Sequence, residues 1–333
     1  MNENHRLFCQ RSIDLAQDGF QKVSLRPQVG WLVGHKQHLL TEGWLYPNTP
    51  YRDQLTNILL KIKCPQNSTL TLSTNPFESL EELQQFAAHH SIKDVQIARE
   101  SSTNFWRAEW FVNRRLYTFW QKKRPYIVLK WAQTTDGFVA RSNYDSKWIS
   151  GAHARKLVHR WRSQEAAIWV GKNTYRYDNP QLNVRDWSGQ DPLRIVVDPE
   201  QTLSKQLNVF DRSQPTLCYT NQPANGQPNL EFALLPTSEI WHQRIAYVMA
   251  DLFERNVVSV FIEGGAKFLS FLIQQGWWDE ARVFSSKTAF SEGIAAPIID
   301  EKHLVDRELV SEDQLSTYYR FSLEAEQKVE KEN

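Results

Sequence analysis

The chain has 333 residues, with 41% hydrophobic and 23% charged residues, which excludes a long disordered protein and allows two domains. Because 39 Lys+Arg stand against 38 Asp+Glu, the net charge of +1 excludes a chain-wide basic surface, and no nucleic-acid partner is expected. No apolar run approaches the roughly 20 residues of a bilayer crossing, so no membrane partner is expected either. The amino-terminal sequence lacks the apolar core of a signal peptide, and three widely spaced cysteines fit neither a disulfide framework nor a metal knuckle. These features favour a cytoplasmic location.

The amino-terminal part predicts alternating helices and strands. Apolar residues at helical spacing indicate the helices, and alternating or short apolar runs indicate the strands. Ser79 is the predicted N-cap of the third helix, with Glu82 at the capping-box position. We predict helices at 5–19, 52–62 and 79–90, and strands at 29–34, 38–46 and 69–74.

The stretch "QKKRP" (121–125) is the predicted domain boundary, because Pro125 cannot continue a helix and "YIVLKWA" after it is strand-like. The runs "AIWVG", "LRIVVD" and "VVSVFIEGG" are nearly all apolar, as in strands buried on both faces of an α/β sheet. A helix is predicted at 150–166 with Ser150 as N-cap, and another over "AKFLSFLIQQG", stopped by Gly276. We assign residues 1–122 to a first domain, 123–325 to a second and 326–333 to a charged tail.

Two turns at the ends of predicted strands are candidate ligand sites. Glu263 ends one strand and two glycines lead into a helix, a pattern that suits either a phosphate-binding turn or a tight strand-to-helix turn. Gly171, Thr174 and Asp178 follow another buried strand, where α/β proteins place ligands, although Asp178 also fits a simple turn. The histidines form no metal pattern. The basic residues of the 150–166 helix suit a solvated face.

Residues 124–298 resemble the reductase domain of the bifunctional riboflavin-biosynthesis deaminase/reductase (RibD) family. The matching stretches, in the family's order, are "RPYIVLKWAQTTDG", "SKWIS", "VGKNTYRYDNPQLNVR", "PLRIVVD" and "IEGG". The resemblance implies an α/β chain, with a cytidine-deaminase-like three-layer domain followed by a dihydrofolate-reductase-like domain. It also implies NADPH-dependent reduction of 5-amino-6-(5-phosphoribosylamino)uracil, in which the ribosyl group becomes ribityl.

The resemblance also implies the residues of the reductase site. Lys130 and Glu263 are the two candidates for the acid that protonates the departing ring oxygen of the ribose, and the sequence leaves the choice open. The implied substrate contacts are Ser146, Ser150, Arg162, Leu182, Arg185 and Glu263. The implied cofactor contacts are Ala132, Trp148, Lys172, Thr174, Asp178 and Gly265. Lys172 would meet the 2′-phosphate of NADPH, with Glu200 as a nearby repelling charge or with Lys172 simply solvated.

The amino-terminal segment resembles the deaminase domain of the same family in outline only. Where that domain carries a substrate-binding Asn, a zinc-ligand His, a proton-shuttling Glu and a zinc-ligand Cys, this chain has Arg26, Tyr51, Asp53 and Phe77. Because a zinc deaminase needs these ligands and the carboxylate, we expect no bound zinc and no deaminase activity.

The interpretation is therefore a reductase of a phosphoribosyl substrate, whose amino-terminal domain is structural or part of a homodimer and whose pathway includes a separate deaminase. The alternatives are a reductase of a different ribosylamine or pterin-like substrate and a non-catalytic partner of that deaminase.

Overall fold

The computed structural model divides the chain into two units, Met1–Gln121 and Lys122–Asn333. It describes residues 3–36, 38–146, 149–236 and 240–320. The predicted charged tail, 326–333, lies outside these ranges. None of the described helices combines the length and apolar character that a bilayer crossing requires.

The amino-terminal unit contains a four-stranded sheet in the order β2-β1-β3-β4. The β1–β2 and β1–β3 pairs are antiparallel and the β3–β4 pair is parallel. Its helices are α1 (Glu3–Asp18), α2 (Tyr51–Lys61), α3 (Leu80–His89), α4 (Ala98–Ser101) and α5 (Thr103–Lys122), which ends at the boundary. Its strands are β1 (Val29–His35), β2 (His38–Leu45), β3 (Ser68–Leu72) and β4 (Ile92–Ile97).

The three predicted helices and three predicted strands of this unit are confirmed to within two residues at each end. The capping prediction is also confirmed, since the Ser79 hydroxyl oxygen accepts a hydrogen bond from the Glu82 amide at 3.1 Å. Sequence reasoning assigned no element to β4, α4 or α5. The 20-residue α5 carries buried arginines and a buried Glu109, which blur its apolar periodicity.

The carboxyl-terminal unit is built on a nine-stranded sheet in the order β10-β9-β8-β7-β11-β5-β12-β15-β14. The first seven strands in this order are parallel, and β15 and β14 add an antiparallel edge. The strands are β5 (Tyr126–Gln133), β6 (Phe138–Ala140), β7 (Ala167–Val170), β8 (Leu193–Val197), β9 (Thr216–Thr220), β10 (Leu230–Leu234), β11 (Ser259–Glu263), β12 (Glu280–Ser285), β13 (Ile294–Ala295), β14 (Leu304–Val310) and β15 (Asp313–Tyr319). The helices are α6 (Ala152–Gln164), α7 (Lys172–Asp178), α8 (Trp241–Glu254) and α9 (Ala266–Gln275).

Helices cover both faces of this sheet, which explains the nearly continuous apolar runs of its central strands. On one face, α8 and α9 pack against alternate strand residues such as Ile127 and Ile262. On the other face, α6 and α7 pack against the intervening residues, including Val128 and Phe261. The α6 face carries the charged groups described below.

The ends of two helices test the capping predictions in this unit. Gly276 closes α9 with a left-handed φ of 71°, so the predicted stop is confirmed. The prediction of Ser150 as the N-cap of α6 is wrong. Gly151 occupies that position and supplies no side-chain cap, and the Asp313 carboxylate accepts the Gly151 N–H at 2.7 Å instead.

Candidate active site

Three charged side chains lie in one row across the centre of the larger sheet. Glu263 on β11 is in register with Lys130 on β5, which is in register with Arg282 on β12. Residues that are directly paired across neighbouring strands project from the same face. This row therefore lies on the α6 face.

Helix α6 brings Arg162 to this row. Its Nε and Nη2 donate to the two oxygens of Glu263 at 2.7 and 2.8 Å, and its Nη1 donates to the Asn183 carbonyl at 3.1 Å. Burial would raise the pKa of Glu263, but the Arg162 guanidinium outweighs burial and lowers it. Glu263 is therefore a carboxylate near neutral pH, held in a bidentate ion pair.

Lys130 lies beside the Arg162–Glu263 pair but is not ion-paired itself within the described ranges. Its ammonium is 5.8 Å from the centroid of the Phe284 ring, and it forms no hydrogen bond or ion pair with any residue that the structure describes. Burial lowers the pKa of Lys130, although the Glu263 carboxylate counteracts this shift. Lys130 is thus the group in the row best prepared to release a proton.

Arg282 is a member of the row that sequence reasoning missed. Its Nε donates to Glu280 at 2.6 Å, and its guanidinium lies 4.5 Å from the Trp161 ring centroid. The Tyr126 hydroxyl donates to the same Glu280 carboxylate at 3.0 Å. The signal was present in "EARVFS", because two charges of opposite sign within a buried strand need partners.

The two predicted turns meet at the carboxyl edge of the sheet. Gly264 and Gly265 have left-handed φ values of 65° and 77°. A Cβ on Gly265 would lie 3.2 Å from the Gly171 Cα and 3.4 Å from the Thr174 Oγ1. Glycine is therefore required by both backbone conformation and close approach, and the amino-terminal ends of α7 and α9 adjoin each other.

Lys172 is partly exposed and lies between two carboxylates. Its Nζ lies 2.7 Å from Asp198 and 3.5 Å from Glu200, and Arg244 approaches Glu200 at 3.8 Å. Burial would raise the pKa of Asp198, but hydrogen bonds from Lys172 and from the Leu203 and Thr202 amides lower it. Asp198 is the partner that the sequence did not reveal, and the role of Lys172 at the cofactor stays a prediction.

The remaining predicted residues differ in their surroundings. Ser146 and Ser150 are half-buried, Arg185 is exposed with its Nη1 bonded to the Asn183 side chain at 3.2 Å, and Asp178 is exposed at the end of α7. Ala132 and Leu182 pack with the core cluster of the α6 face, and Leu182 has a left-handed φ of 58°. Trp148 lies outside the described residues. The ligand contacts of all these residues stay predictions.

The four residues that the resemblance sets against deaminase site residues are surrounded by protein groups or solvent. Tyr51 is buried, and its hydroxyl donates to the Pro27 carbonyl at 2.5 Å. Arg26 lies 5.7 Å from the Tyr51 ring centroid, Phe77 contacts Phe86 at a ring separation of 5.1 Å, and Asp53 is exposed. Over the described ranges, the structure contains no group of three His, Cys, Asp or Glu residues placed to hold a metal ion.

Comparison with known proteins now places the chain. Residues 125–305, more than half of its length, match the profile of the RibD C-terminal domain. The chain belongs to this family. It is 28% identical to the riboflavin biosynthesis protein RibD of Aquifex aeolicus over 227 residues, which cover 68% of this chain and 62% of that protein. It spans 52% of the RibD protein of Bacillus amyloliquefaciens, so it matches about half to three fifths of these relatives.

Two solved structures of the RibD type confirm the α/β fold class that was predicted for this chain. A diaminohydroxyphosphoribosylaminopyrimidine deaminase/5-amino-6-(5-phosphoribosylamino)uracil reductase from Thermotoga maritima matches with a TM-score of 0.77 and 25% identity, covering 95% of this chain and 98% of that one. RibD of Acinetobacter baumannii matches with a TM-score of 0.77 and 19% identity, covering 96% and 99%. Because these matches extend across both units, the amino-terminal unit also has a RibD-type fold. The match to the RibD C-terminal domain places the chain in a family of riboflavin-biosynthesis reductases.

Proposed function

We propose that this chain reduces 5-amino-6-(5-phosphoribosylamino)uracil to the ribityl product with NADPH. The observation that carries the proposal is Lys130, a half-buried ammonium with no hydrogen-bond partner among the described residues, next to the Arg162–Glu263 pair. A desolvated lysine beside a fixed carboxylate is suited to proton transfer in a cleft. Membership of the RibD family supplies the reaction class.

Lys130 is the proposed general acid. Opening the ribosylamine ring requires a proton on the departing ring oxygen while the amine nitrogen forms a double bond to C1′. Glu263 is held ionised by Arg162 and has no proton to give near neutral pH. Lys130 carries one, and its lowered pKa makes the transfer easier. Glu263 then acts by accepting hydrogen bonds from the substrate and orienting it.

The glycine contact between Gly171 and Gly265 fits a dinucleotide. A side chain at either glycine would fill the space between the starts of α7 and α9, and neither N-cap supplies a side-chain hydrogen bond. Backbone N–H groups at a helix start favour phosphate oxygens, so this edge suits the pyrophosphate. Lys172 and Arg244 are the cations for the 2′-phosphate, and each is already near a carboxylate. NADPH, when bound, supplies the hydride that C1′ accepts.

The test is NADPH oxidation, followed by absorbance, with the deaminated pathway substrate. Lys130→Met should lower kcat by about 10²–10⁴-fold, the usual contribution of a positioned acid, and leave NADPH affinity within a few-fold. Lys156→Met is the matched control, because Lys156 is exposed on α6 and contacts the Trp187 ring instead. Wild-type activity that survives Lys130→Met would contradict the acid assignment.

The same assay separates the alternatives. Tight NADPH binding without turnover would favour a different ribosylamine or pterin-like substrate. No NADPH binding at all would favour a non-catalytic partner of a deaminase.

We also propose that the amino-terminal unit is not a deaminase, so that a separate cytoplasmic deaminase supplies the substrate, and that this unit serves as a structural domain or a homodimer partner. Tyr51 and Phe77 fill the positions of two ligands with rings whose neighbours are protein groups. Elemental analysis of protein purified without chelator and an ammonia-release assay test this. One zinc per chain together with ammonia release would overturn it.

A further inference from the structure

The amino-terminal end of α6 is held from the far edge of the sheet. Asp313, the first residue of β15, accepts a hydrogen bond from the Gly151 N–H at 2.7 Å, across 162 residues of sequence. Asp313 is paired with Val310 across the tight β14–β15 turn, and only 5% of its surface is exposed. A buried carboxylate at this place needs partners, and the Gly151 amide is one.

The Asp313 carboxylate lies close enough to Gly151 to restrict the position of its backbone. A Cβ on Gly151 would lie 3.3 Å from the Asp313 Oδ2, so a larger residue at 151 would push the carboxylate away. Gly151 itself provides no side-chain cap for α6. The Asp313 carboxylate therefore takes the place of a local cap, and its negative charge also suits the positive end of the helix.

Gly151 directly follows Ser150, which is one of the two serines, with Ser146, that are implied as substrate contacts. Ser150 is itself half-buried, and its carbonyl accepts a hydrogen bond from Arg155 at 2.6 Å. The carboxylate and the first turn of α6 therefore determine where the Ser150 backbone lies. Sequence reasoning missed Asp313 because it directly follows two exposed residues of a polar turn, Ser311 and Glu312, and its partner is remote in sequence.

We propose that Asp313 is a positioning residue for substrate binding: its carboxylate holds the Gly151 amide and thereby sets the position of Ser150 at the substrate. This inference rests on the proposed reductase function. It deepens that function, because Asp313 lies outside the register row of Glu263, Lys130 and Arg282 and acts through the Gly151 backbone. The hydrogen bond is the part that positions Ser150, whereas burial lowers the pKa of Lys130 and the negative charge of Asp313 separately raises it.

Two variants separate the hydrogen bond from the charge. Asp313→Asn keeps an oxygen that can accept the Gly151 N–H, whereas Asp313→Ala removes it. Asp313→Ala should raise the KM for the pyrimidine substrate about tenfold, the size expected for the loss of one hydrogen bond, with NADPH affinity within about threefold. Any change in kcat should be shared by Asp313→Asn, because both variants remove the charge that acts on Lys130. Asp313→Asn should stay within about threefold of wild type in KM. Glu312→Ala, in the exposed turn next to it, is the control and should change nothing.

Hydrogen exchange tests the Asp313–Gly151 hydrogen bond independently of enzyme activity. Hydrogen exchange of the backbone around 149–153 should speed up in Asp313→Ala and not in Asp313→Asn or Glu312→Ala. If Asp313→Ala does not fold, Asp313→Ser replaces it, because its shorter side chain cannot reach the amide. Gly151→Ala tests the contact from the other side and should raise the KM in the same way.

Each outcome has one meaning. Unchanged exchange in Asp313→Ala overturns the contact. Changed exchange with an unchanged KM, or a KM raised equally by Asn and Ala, overturns the positioning role. Loss of NADPH affinity in step with substrate affinity also overturns it, since a general structural defect would do this. A wild-type chain without reductase activity refutes the proposed function instead, while exchange still decides whether Asp313 holds Gly151.

Discussion

We expect the main effect of replacing Arg162 to be a loss of folding stability, larger than its effect on substrate binding. The resemblance implied Arg162 as a substrate contact, and in the structure it forms a bidentate ion pair with Glu263, with both side chains about nine-tenths buried. Arg162→Met fills similar space and leaves the Glu263 carboxylate with Lys130 as its remaining charged neighbour in the row. Removing one partner of a buried ion pair costs about 3–5 kcal/mol.

That loss is large enough to measure by thermal unfolding. At about 2–4 °C per kcal/mol for a unit of this size, Tm should fall by about 6–20 °C. Arg160→Met, an exposed arginine on the same helix, is the control and should change Tm little. In the double variant Arg162→Met/Glu263→Gln the unpaired charge is gone, so at least about 1 kcal/mol should be recovered.

The stability difference between the wild type and Arg162→Met should also depend on pH. In the wild type the pKa of Glu263 lies below its ordinary value, because Arg162 outweighs the effect of burial. Its carboxylate therefore adds stability above the unfolded pKa, and this is lost as pH falls through the folded pKa. Without Arg162 the pKa rises, so the stability gap between wild type and Arg162→Met should narrow as pH falls. A Tm within about 2 °C of wild type, or fully additive double-variant effects, would refute the buried-pair reasoning.

Three further predictions concern the same edge of the sheet. Glu263→Gln should cut turnover more than NADPH affinity, and an equal loss of both would mean that Glu263 only braces the turn. Lys172→Met should lower the kcat/KM preference for NADPH over NADH by about tenfold with NADH activity nearly intact, and an unchanged ratio would show that the Asp198 pair keeps Lys172 from the cofactor. The alkaline limb of kcat should fall at a pH below the ordinary lysine pKa, because burial lowers the pKa of Lys130 and its proton is lost as pH rises. A limb that stays unchanged in Lys130→Met would belong to another group.

The sequence by itself determined the local parts of this protein. Short apolar runs predicted β7, β8 and β11, and the alternation of such runs with helices predicted the α/β class, because burial on both faces imposes that composition on each strand separately. The glycines at 264, 265 and 276 were recognised for the same reason, since a backbone conformation or close approach is a property of one position. Family motifs supplied the reaction class.

Only the tertiary structure decided which charges become partners. Arg162 and Glu263 are separated by 101 residues, Gly151 and Asp313 by 162, and no local pattern links either pair. Arg282 entered the site through its register with Lys130 across two parallel strands, which is set by the whole sheet. The proposal of Lys130 rather than Glu263 as the acid likewise rests on the Arg162 guanidinium that α6 brings to Glu263. Proton affinity follows burial and neighbouring charge, and folding alone brings these together.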